Sequence, residues 1–152
     1  MLFSTENGEP LAIFPDGVVQ RMRVASSSAI AARHLARQDA STLALFGSGW
    51  QAGSHLPAMC AVRDLKRVNV YSPTQANLEL FVKEMQRKVA AEVRAADNPE
   101  DCVRDADFAD AVARTTRVNL SCRRRFCGSA RGTAIRILRT SSWPSRRKKN
   151  SR

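Results

Sequence analysis

The stretch of sequence that decides the fold is Thr42-Leu43-Ala44-Leu45-Phe46-Gly47-Ser48-Gly49-Trp50-Gln51-Ala52. Its first part, from Thr42 to Phe46, is a predominantly apolar run, which is typical of a parallel strand covered on both faces. Two glycines follow it directly, and a helix is predicted to begin near Trp50 and to continue to about Val62. A strand that leads through a glycine-rich turn into a helix is the first half of a β-α-β unit.

The glycine turn has the pattern G-x-G-x-x-A, which in this context predicts a site for the pyrophosphate of a dinucleotide. Gly47 would make the tight turn, Gly49 would let the backbone approach the ligand, and Ala52 would replace the third glycine. The start of the helix offers free N–H groups and a positive dipole end to a dianion. The predicted cofactor-binding residues of the turn are Gly47, Ser48, Gly49, Trp50, Gln51 and Ala52. The alternative is a tight strand–helix turn that binds nothing.

A second strand, Arg67 to Tyr71, ends in the turn Ser72-Pro73-Thr74. An acid at this place usually holds the ribose hydroxyls of NAD, but this turn has none. A turn rich in hydroxyl groups tolerates a 2′-phosphate better than a carboxylate would, so the sequence favours NADP over NAD. Ser72, Pro73 and Thr74 are added to the predicted cofactor site. The nearby Lys66 and Arg67 are interpreted as a solvated face.

The elements after Thr42 alternate between strand and helix. Helices are predicted for residues 75–88 and 98–105, and a short strand for residues 91–94. This order indicates an α/β fold with a doubly wound parallel sheet, a partial Rossmann-like domain over residues 41–112. After about Phe108 the pattern stops, and no further strand is expected.

The segment before this domain is predicted to be a β-hairpin followed by a linking helix. The two strands would be Leu11–Phe14 and Val18–Val24, joined by a turn at residues 15–17. The helix would run from about Ser27 to Arg37, capped by the preceding serines. Residues 1–40 are therefore assigned to the end of a separate region that leads into the parallel sheet.

Charge divides the chain at about residue 113. The net charge of the whole chain is +11, yet the first 113 residues hold 12 Lys or Arg against 14 acids, a net charge of −2. The other 13 Lys or Arg lie in residues 114–152, which contain no acid. Residues 113–152 are predicted to be a disordered basic tail. Since the tail lacks interleaved aromatic residues and a recognition helix, a specific nucleic-acid partner is not expected.

Other site types are weakly supported. Cys60, Cys102, Cys122 and Cys127 form no paired CxxC spacing, so no metal site is predicted. No signal peptide or membrane span is visible, and a reducing cytoplasmic compartment is expected.

No catalytic residue is identified. His34 and His55 are interpreted as surface or packing residues, because neither has a neighbouring acid and nucleophile in the sequence. Arg23 is the one candidate substrate-binding residue, since a guanidinium holds a carboxylate or a phosphate by paired hydrogen bonds. A surface arginine is the alternative.

Several segments together resemble the ornithine cyclodeaminase/mu-crystallin family. The resemblance covers about residues 8–108 and is most specific between Arg23 and Ala52. The segments that carry it are Gly8–Ile13, Asp16-Gly17, Gln20–Ala25, Ser28–Arg37, Leu45–Ala52, Val70–Thr74 and Asp105–Asp107.

The resemblance implies a homodimer that binds NAD or NADP and oxidises an amino acid or reduces an imine. Ornithine cyclisation to proline with loss of ammonia is one such reaction, and alanine dehydrogenation and ketimine reduction are others. It also implies that Arg23 contacts phosphate or substrate carboxylate and that Gln51 belongs to the pyrophosphate loop. A non-catalytic, NADP-binding module like mu-crystallin is the alternative function.

The departures from the family are equally informative. Its substrate-binding lysine and arginine lie upstream of this sequence, and its catalytic aspartate lies downstream with no recognisable match here. Where the family continues into an apolar strand after the position of Asp107, this chain reads Phe108-Ala109-Asp110-Ala111. A shortened gene or a reading-frame shift near residue 108 would explain this, and the Arg- and Ser-rich composition of the tail favours the frame shift. We therefore expect an inactive fragment that retains the dinucleotide-binding loop.

Overall fold

The computed structural model describes residues 1–14 and 17–112, and also the backbone of residues 133–135. A small antiparallel pair, β1 and β2, comes first and is followed by a long helix and then by alternating strands and helices. The elements are β1 Leu2–Phe3, β2 Pro10–Ala12, α1 Val18–Leu35, β3 Thr42–Phe46, α2 Ala52–Val62, β4 Arg67–Tyr71, α3 Gln75–Gln86, β5 Glu92–Ala95, α4 Pro99–Val103, β6 Phe108–Ala111 and β7 Thr133–Ile135.

The main sheet has five parallel strands in the order β5-β4-β3-β6-β7. β3 is the central strand, with Thr42 opposite Arg67 of β4 and Leu43 opposite Phe108 of β6. The predicted α/β class with a doubly wound, Rossmann-like sheet is therefore confirmed. The sequence-based bounds for β3, α2 and β4 agree with the structure to within two residues, because their apolar runs and turn residues are unambiguous.

The core lies on both faces of the sheet, since alternate residues of β3 point in opposite directions. Leu43 and Leu45 pack with residues of α2 and α3 in the larger apolar cluster. Ala44 and Phe46 pack on the other face with Cys102 of α4. Because both faces of β3 are buried, the strand is apolar along its length and helices cover the sheet on each side.

The predicted hairpin strand Val18–Val24 is wrong, because these residues form the first turns of α1. The helix begins at Val18, after the N-cap residue Gly17, about nine residues before the predicted start. The β-branched valines favour a strand by propensity, but packing against α2 prevails. The buried face of α1 consists of small residues that permit this close packing: Ala25, Ser28, Ala29 and Ala32.

The expectation that the strand pattern stops after Phe108 is also wrong. Residues Phe108–Ala111 form β6, which pairs with β3, and Phe108 and Asp110 are fully buried. The prediction failed because Ala and Asp have low strand propensity. Pairing with the central strand and burial of Phe108 outweigh that preference.

Arg63 and Asp107 join the elements at the amino edge of the sheet. The guanidinium of Arg63 donates to the carbonyls of Arg33 and Ala36 at the end of α1. The carboxylate of Asp107 accepts from the backbone N–H groups of Ser41 and Thr42, at 2.8 and 2.9 Å, and from Arg37. These contacts fix α1 against the start of β3.

The predicted disordered tail, residues 113–152, lies outside the described residues except for residues 133–135. Residues 133–135 form β7, whose backbone pairs with β6. No helix in the described part of the chain is long and apolar enough to cross a membrane.

Candidate functional site

The site begins at the carboxyl edge of the sheet, at the point where the strand order reverses. β3 continues through α2 to β4 on one side, whereas its other neighbour, β6, is reached through α4. In open α/β sheets such a switch point leaves a crevice outside the strand ends, which is where ligands bind. The glycine turn occupies this place, immediately after β3.

Gly47 makes the tight turn that the sequence predicts. Its φ is 114°, a conformation that L side chains rarely adopt, and its N–H donates to the carbonyl of Tyr71 at 2.8 Å. This bond joins the glycine turn to the end of β4. The turn thus fixes where the helix α2 starts, with Gln51 as the N-cap residue.

The amino end of α2 has unused hydrogen-bond donors. No side chain caps the helix. Among the described residues, no acceptor lies within hydrogen-bond range of the backbone N–H groups from Ser48 to Ala52. Since unpaired N–H groups and the helix dipole favour an anion, the turn is chemically suited to a pyrophosphate.

Three further features fit a dinucleotide at this turn. A Cβ added at Gly49 would meet no atom within 4 Å, so the backbone lies open to a ligand. The amide oxygen Oε1 of Gln51 is buried and has no hydrogen-bond partner in the described part of the chain. Ala52 is fully buried where α2 packs on the sheet, a position in which a small residue is required.

The residues at the end of β4 lie beside the glycine turn. Ser72 is half-buried, Pro73 and Thr74 are exposed, and Thr74 is the N-cap residue of α3. Lys66 and Arg67 lie at the opposite, amino end of β4. Lys66 pairs with Asp64 and Arg67 lies 4.0 Å from Glu92, in agreement with their interpretation as a solvated face.

An open cleft of about 330 Å³ adjoins the glycine turn on the side of α3. Arg21 of α1 enters it, and its guanidinium lies 5.1 Å from the ring centroid of Trp50. Trp50 itself is half-exposed and packs over Gly17 and Arg21 at the loop. The lining residues are Arg21, Ser48, Gly49, Trp50, Gly53, Asn77, Leu80, Phe81 and Glu84. Sequence reasoning missed Arg21, because nothing in the pattern distinguishes it from a surface arginine.

His55 has an acidic neighbour that the sequence does not show. Its Nδ1 lies 2.8 Å from Oδ2 of Asp110, and both side chains are fully buried. His55 is therefore buried, as a packing residue is, and it also has an acidic partner that the sequence analysis did not identify. An acid within an otherwise apolar strand was the signal that would have identified the pair.

Arg23 and His34 are exposed on α1 and do not line the cleft. Residues two apart on a helix point in nearly opposite directions, so Arg23 does not share the side occupied by Arg21. Its role as a substrate contact stays a prediction. Within the described ranges, no group of His, Cys, Asp and Glu side chains could hold a metal ion.

The fold and the glycine turn define a Rossmann-like α/β protein. The family model for the ornithine cyclodeaminase/mu-crystallin family matches residues 1–120. The chain belongs to this family, as the resemblance predicted.

Known relatives agree with this assignment. The chain is 33% identical over 108 residues to the Delta(1)-pyrroline-2-carboxylate reductase of Bacillus cereus, covering 71% of this chain and 33% of the relative. It thus spans about a third of the length of the curated relatives it matches.

Two solved structures share the fold. The Thermococcus litoralis Delta(1)-pyrroline-2-carboxylate reductase, in complex with NADH and L-proline, has a TM-score of 0.69 and 28% identity, over 72% of this chain and 34% of its own. An archaeal alanine dehydrogenase dimer with bound NAD has a TM-score of 0.64 and 26% identity, over 72% of this chain and 33% of its own.

Proposed function

We propose that this chain supplies the NAD(P)-binding unit of an oxidoreductase that interconverts amino acids and imines. The observation that carries the proposal is the uncapped amino end of α2, which follows the Gly47–Gly49 turn at the switch point of the sheet. Within the described residues the N–H groups from Ser48 to Ala52 form no hydrogen bond, and Gly49 leaves the approach open. These features match the requirements of a pyrophosphate group.

The substrate class is supported by the relatives. One is named a reductase of a cyclic imino acid, and a solved neighbour holds L-proline beside NADH. The cofactor would supply or accept a hydride. The residues of this chain would bind its pyrophosphate at Gly47–Ala52 and its ribose near Ser72–Thr74. Ornithine cyclisation with loss of ammonia is a related reaction within the same proposal.

Arg23 is proposed as the contact for the substrate carboxylate. Its side chain is exposed on α1, and no described residue forms an ion pair with it. A guanidinium that is not already paired is available for bidentate binding of a carboxylate. Because the side chain is exposed, a substrate carboxylate could reach it.

A homodimer is the proposed assembly. One solved neighbour is an alanine dehydrogenase dimer. Large apolar side chains are exposed in the segment that holds β1 and β2 and on the first turns of α1, which supports a protein contact. Those at least half exposed are Met1, Leu2, Phe3, Leu11, Ile13, Phe14, Val18, Val19 and Met22.

Cofactor binding by the full chain tests the proposal. Isothermal titration with NAD and NADP should show saturable binding of at least one dinucleotide, together with a rise in melting temperature. Because the basic tail attracts any polyphosphate, the titrations are made at high salt, with tripolyphosphate as the control anion. If neither dinucleotide binds more tightly than tripolyphosphate, the proposal is wrong.

A variant of the turn makes the test specific. Gly49→Val adds a side chain to open space at the pyrophosphate position and leaves the tail unchanged. Dinucleotide binding should be lost while the weak binding of tripolyphosphate to the tail remains. Equal loss of both would indicate that the dinucleotide had been bound by charge alone.

A further inference from the structure

The guanidinium of Arg21 has no hydrogen-bond acceptor among the residues that the structure describes. Its Nε is buried and unpaired there, and the side chain forms no ion pair within 4.0 Å with any of these residues. The group is nevertheless held in place. It stacks on Trp50 and lies so close to α2 that a Cβ added at Gly53 would stand 2.4 Å from Nη2. A fixed guanidinium without an acceptor is a prepared anion site.

The groups around Arg21 suit a phosphate monoester. The hydroxyl of Ser48 and the amide of Asn77 line the same cleft, and the open backbone of Gly49 forms its edge. Hydroxyl, amide and guanidinium donors together match the oxygens of a phosphate dianion. The cleft is also wide enough, at about 330 Å³, to admit such a group from solvent.

Among the described lining residues, Glu84 is the one carboxylate, and Lys88 pairs with it. A hydrogen bond and the positive charge of Lys88 lower the pKa of Glu84, with a smaller contribution from Arg21. Lys88 pairs with this carboxylate, and no ion pair within 4.0 Å joins Glu84 to Arg21 in the described part of the chain. The guanidinium of Arg21 is therefore left without a direct carboxylate partner among these residues.

The cleft lies on the side of the glycine turn where the adenosine ribose is expected. Its far wall is α3, which follows directly from the turn Ser72–Thr74 at the end of β4. In dinucleotide-binding folds the ribose 2′ position is read near this strand end, by an acid for NAD or by an arginine for NADP. The turn has no acid, and Arg21 reaches the same side from α1.

We infer that Arg21, with Ser48 and Asn77, binds a phosphate monoester dianion, and that this group is the 2′-phosphate of NADP. The inference rests on the proposed function and makes the cofactor choice depend on a residue outside the β-α-β unit. Free phosphate is the other source of the same chemistry. If the bound group is the 2′-phosphate of NADP, the affinity for NADP depends on Arg21. If it is free phosphate, the affinity for the dinucleotide does not.

The test compares NADP, NAD and inorganic phosphate on the full chain at high salt. The wild-type protein should bind NADP at least ~10-fold more tightly than NAD, as expected for charge-assisted hydrogen bonds. Arg21→Met should remove this difference and leave the Kd for NAD unchanged. Arg87→Met is the matched control. It makes the same substitution at an arginine that is exposed and lies outside the cleft. It should keep the preference for NADP.

The outcomes separate the inference from the proposed function. If the wild type binds NAD as tightly as NADP, or if Arg21→Met keeps the preference, the inference is wrong and the proposed function stands. Binding of inorganic phosphate that depends on Arg21, without a preference for NADP, overturns the assignment to the cofactor. If neither dinucleotide binds, both fail. Should Arg21→Met not fold, as judged by circular dichroism, Arg21→Gln gives the same comparison with a smaller change in side-chain shape.

Discussion

Nδ1 of His55 lies 2.8 Å from Oδ2 of Asp110, and this buried contact ties the helix α2 to the strand β6. The two elements border the crevice at the switch point, so the pair fixes the amino end of α2 relative to the sheet. Nε2 of His55 and Oδ1 of Asp110 have no partner among the described residues. The contact is therefore polar but incompletely satisfied, which makes its energetic contribution open to measurement.

Removing one member of this pair should destabilise the protein. Asp110→Ala leaves Nδ1 of His55 buried and unpaired, and His55→Ala leaves Oδ2 of Asp110 buried and unpaired. Each change should lower the free energy of unfolding by about 1–3 kcal/mol. The double variant His55→Ala with Asp110→Ala should cost less than the sum of the two single changes, because neither side chain is then left buried without its partner. Urea unfolding of the four proteins gives the coupling energy. Strict additivity would show that the two side chains do not interact.

Much of the sheet was predictable because its local signals agree with its tertiary packing. The apolar run at Thr42–Phe46, the glycine turn and the Pro73 turn each indicate the same secondary structure that the packing requires. Gly47 and Ala52 therefore lie where the sequence predicts them, at the carboxyl edge of the sheet.

The remaining features depend on contacts between distant residues. α1 begins at Val18 because Ala25 and Ala32 pack against α2, and β6 exists because Phe108 pairs beside Leu43 in the core. Neither effect has a local signature. The same holds for Arg21, whose position beside the glycine turn follows from the early start of α1 and from the space at Gly53.

The contribution of β6 can be measured at Phe108. This side chain is fully buried in the larger cluster of the core. Phe108→Ala should lower the free energy of unfolding by about 3–5 kcal/mol, because it removes the ring and leaves a cavity. Leu35→Ala is the control, since Leu35 is 63% exposed, and its effect should stay within about 0.5 kcal/mol. Similar small effects of both changes in chemical denaturation would contradict the placement of β6 in the sheet.

The two glycines of the turn should respond differently to the same substitution. Gly47→Ala forces a side chain into a φ of 114° and should cost about 1–3 kcal/mol of stability. Gly49 has no such backbone constraint and no neighbouring atom, so Gly49→Ala should leave stability unchanged or raise it by about 0.4–1 kcal/mol. The affinity of the Gly49→Ala variant for NAD(P) should fall nonetheless, because the added Cβ occupies the path of the pyrophosphate. Thermal unfolding and titration of both variants provide the comparison. Unchanged affinity in Gly49→Ala would remove the turn from the binding site.

The carboxylate of Asp107 should make stability depend on pH. Partial burial raises the pKa of Asp107, but hydrogen bonds from Ser41 and Thr42 and the nearby Arg37 outweigh it, so the pKa is lower than in an unfolded chain. A lowered folded-state pKa means that the stabilisation is fully present above the unfolded pKa of about 3.9 and is lost as the pH falls through the folded pKa.

Asp107→Ala should therefore destabilise the protein at pH 7, by about 1–3 kcal/mol, and the difference from the wild type should shrink as the pH falls below about 4. Asp97→Ala serves as the control, since Asp97 is exposed and forms no ion pair with a described residue. Urea unfolding at a series of pH values measures both. A difference for Asp107→Ala that is constant across the series would show that the effect comes from packing at the start of β3 and does not depend on the charge of the carboxylate.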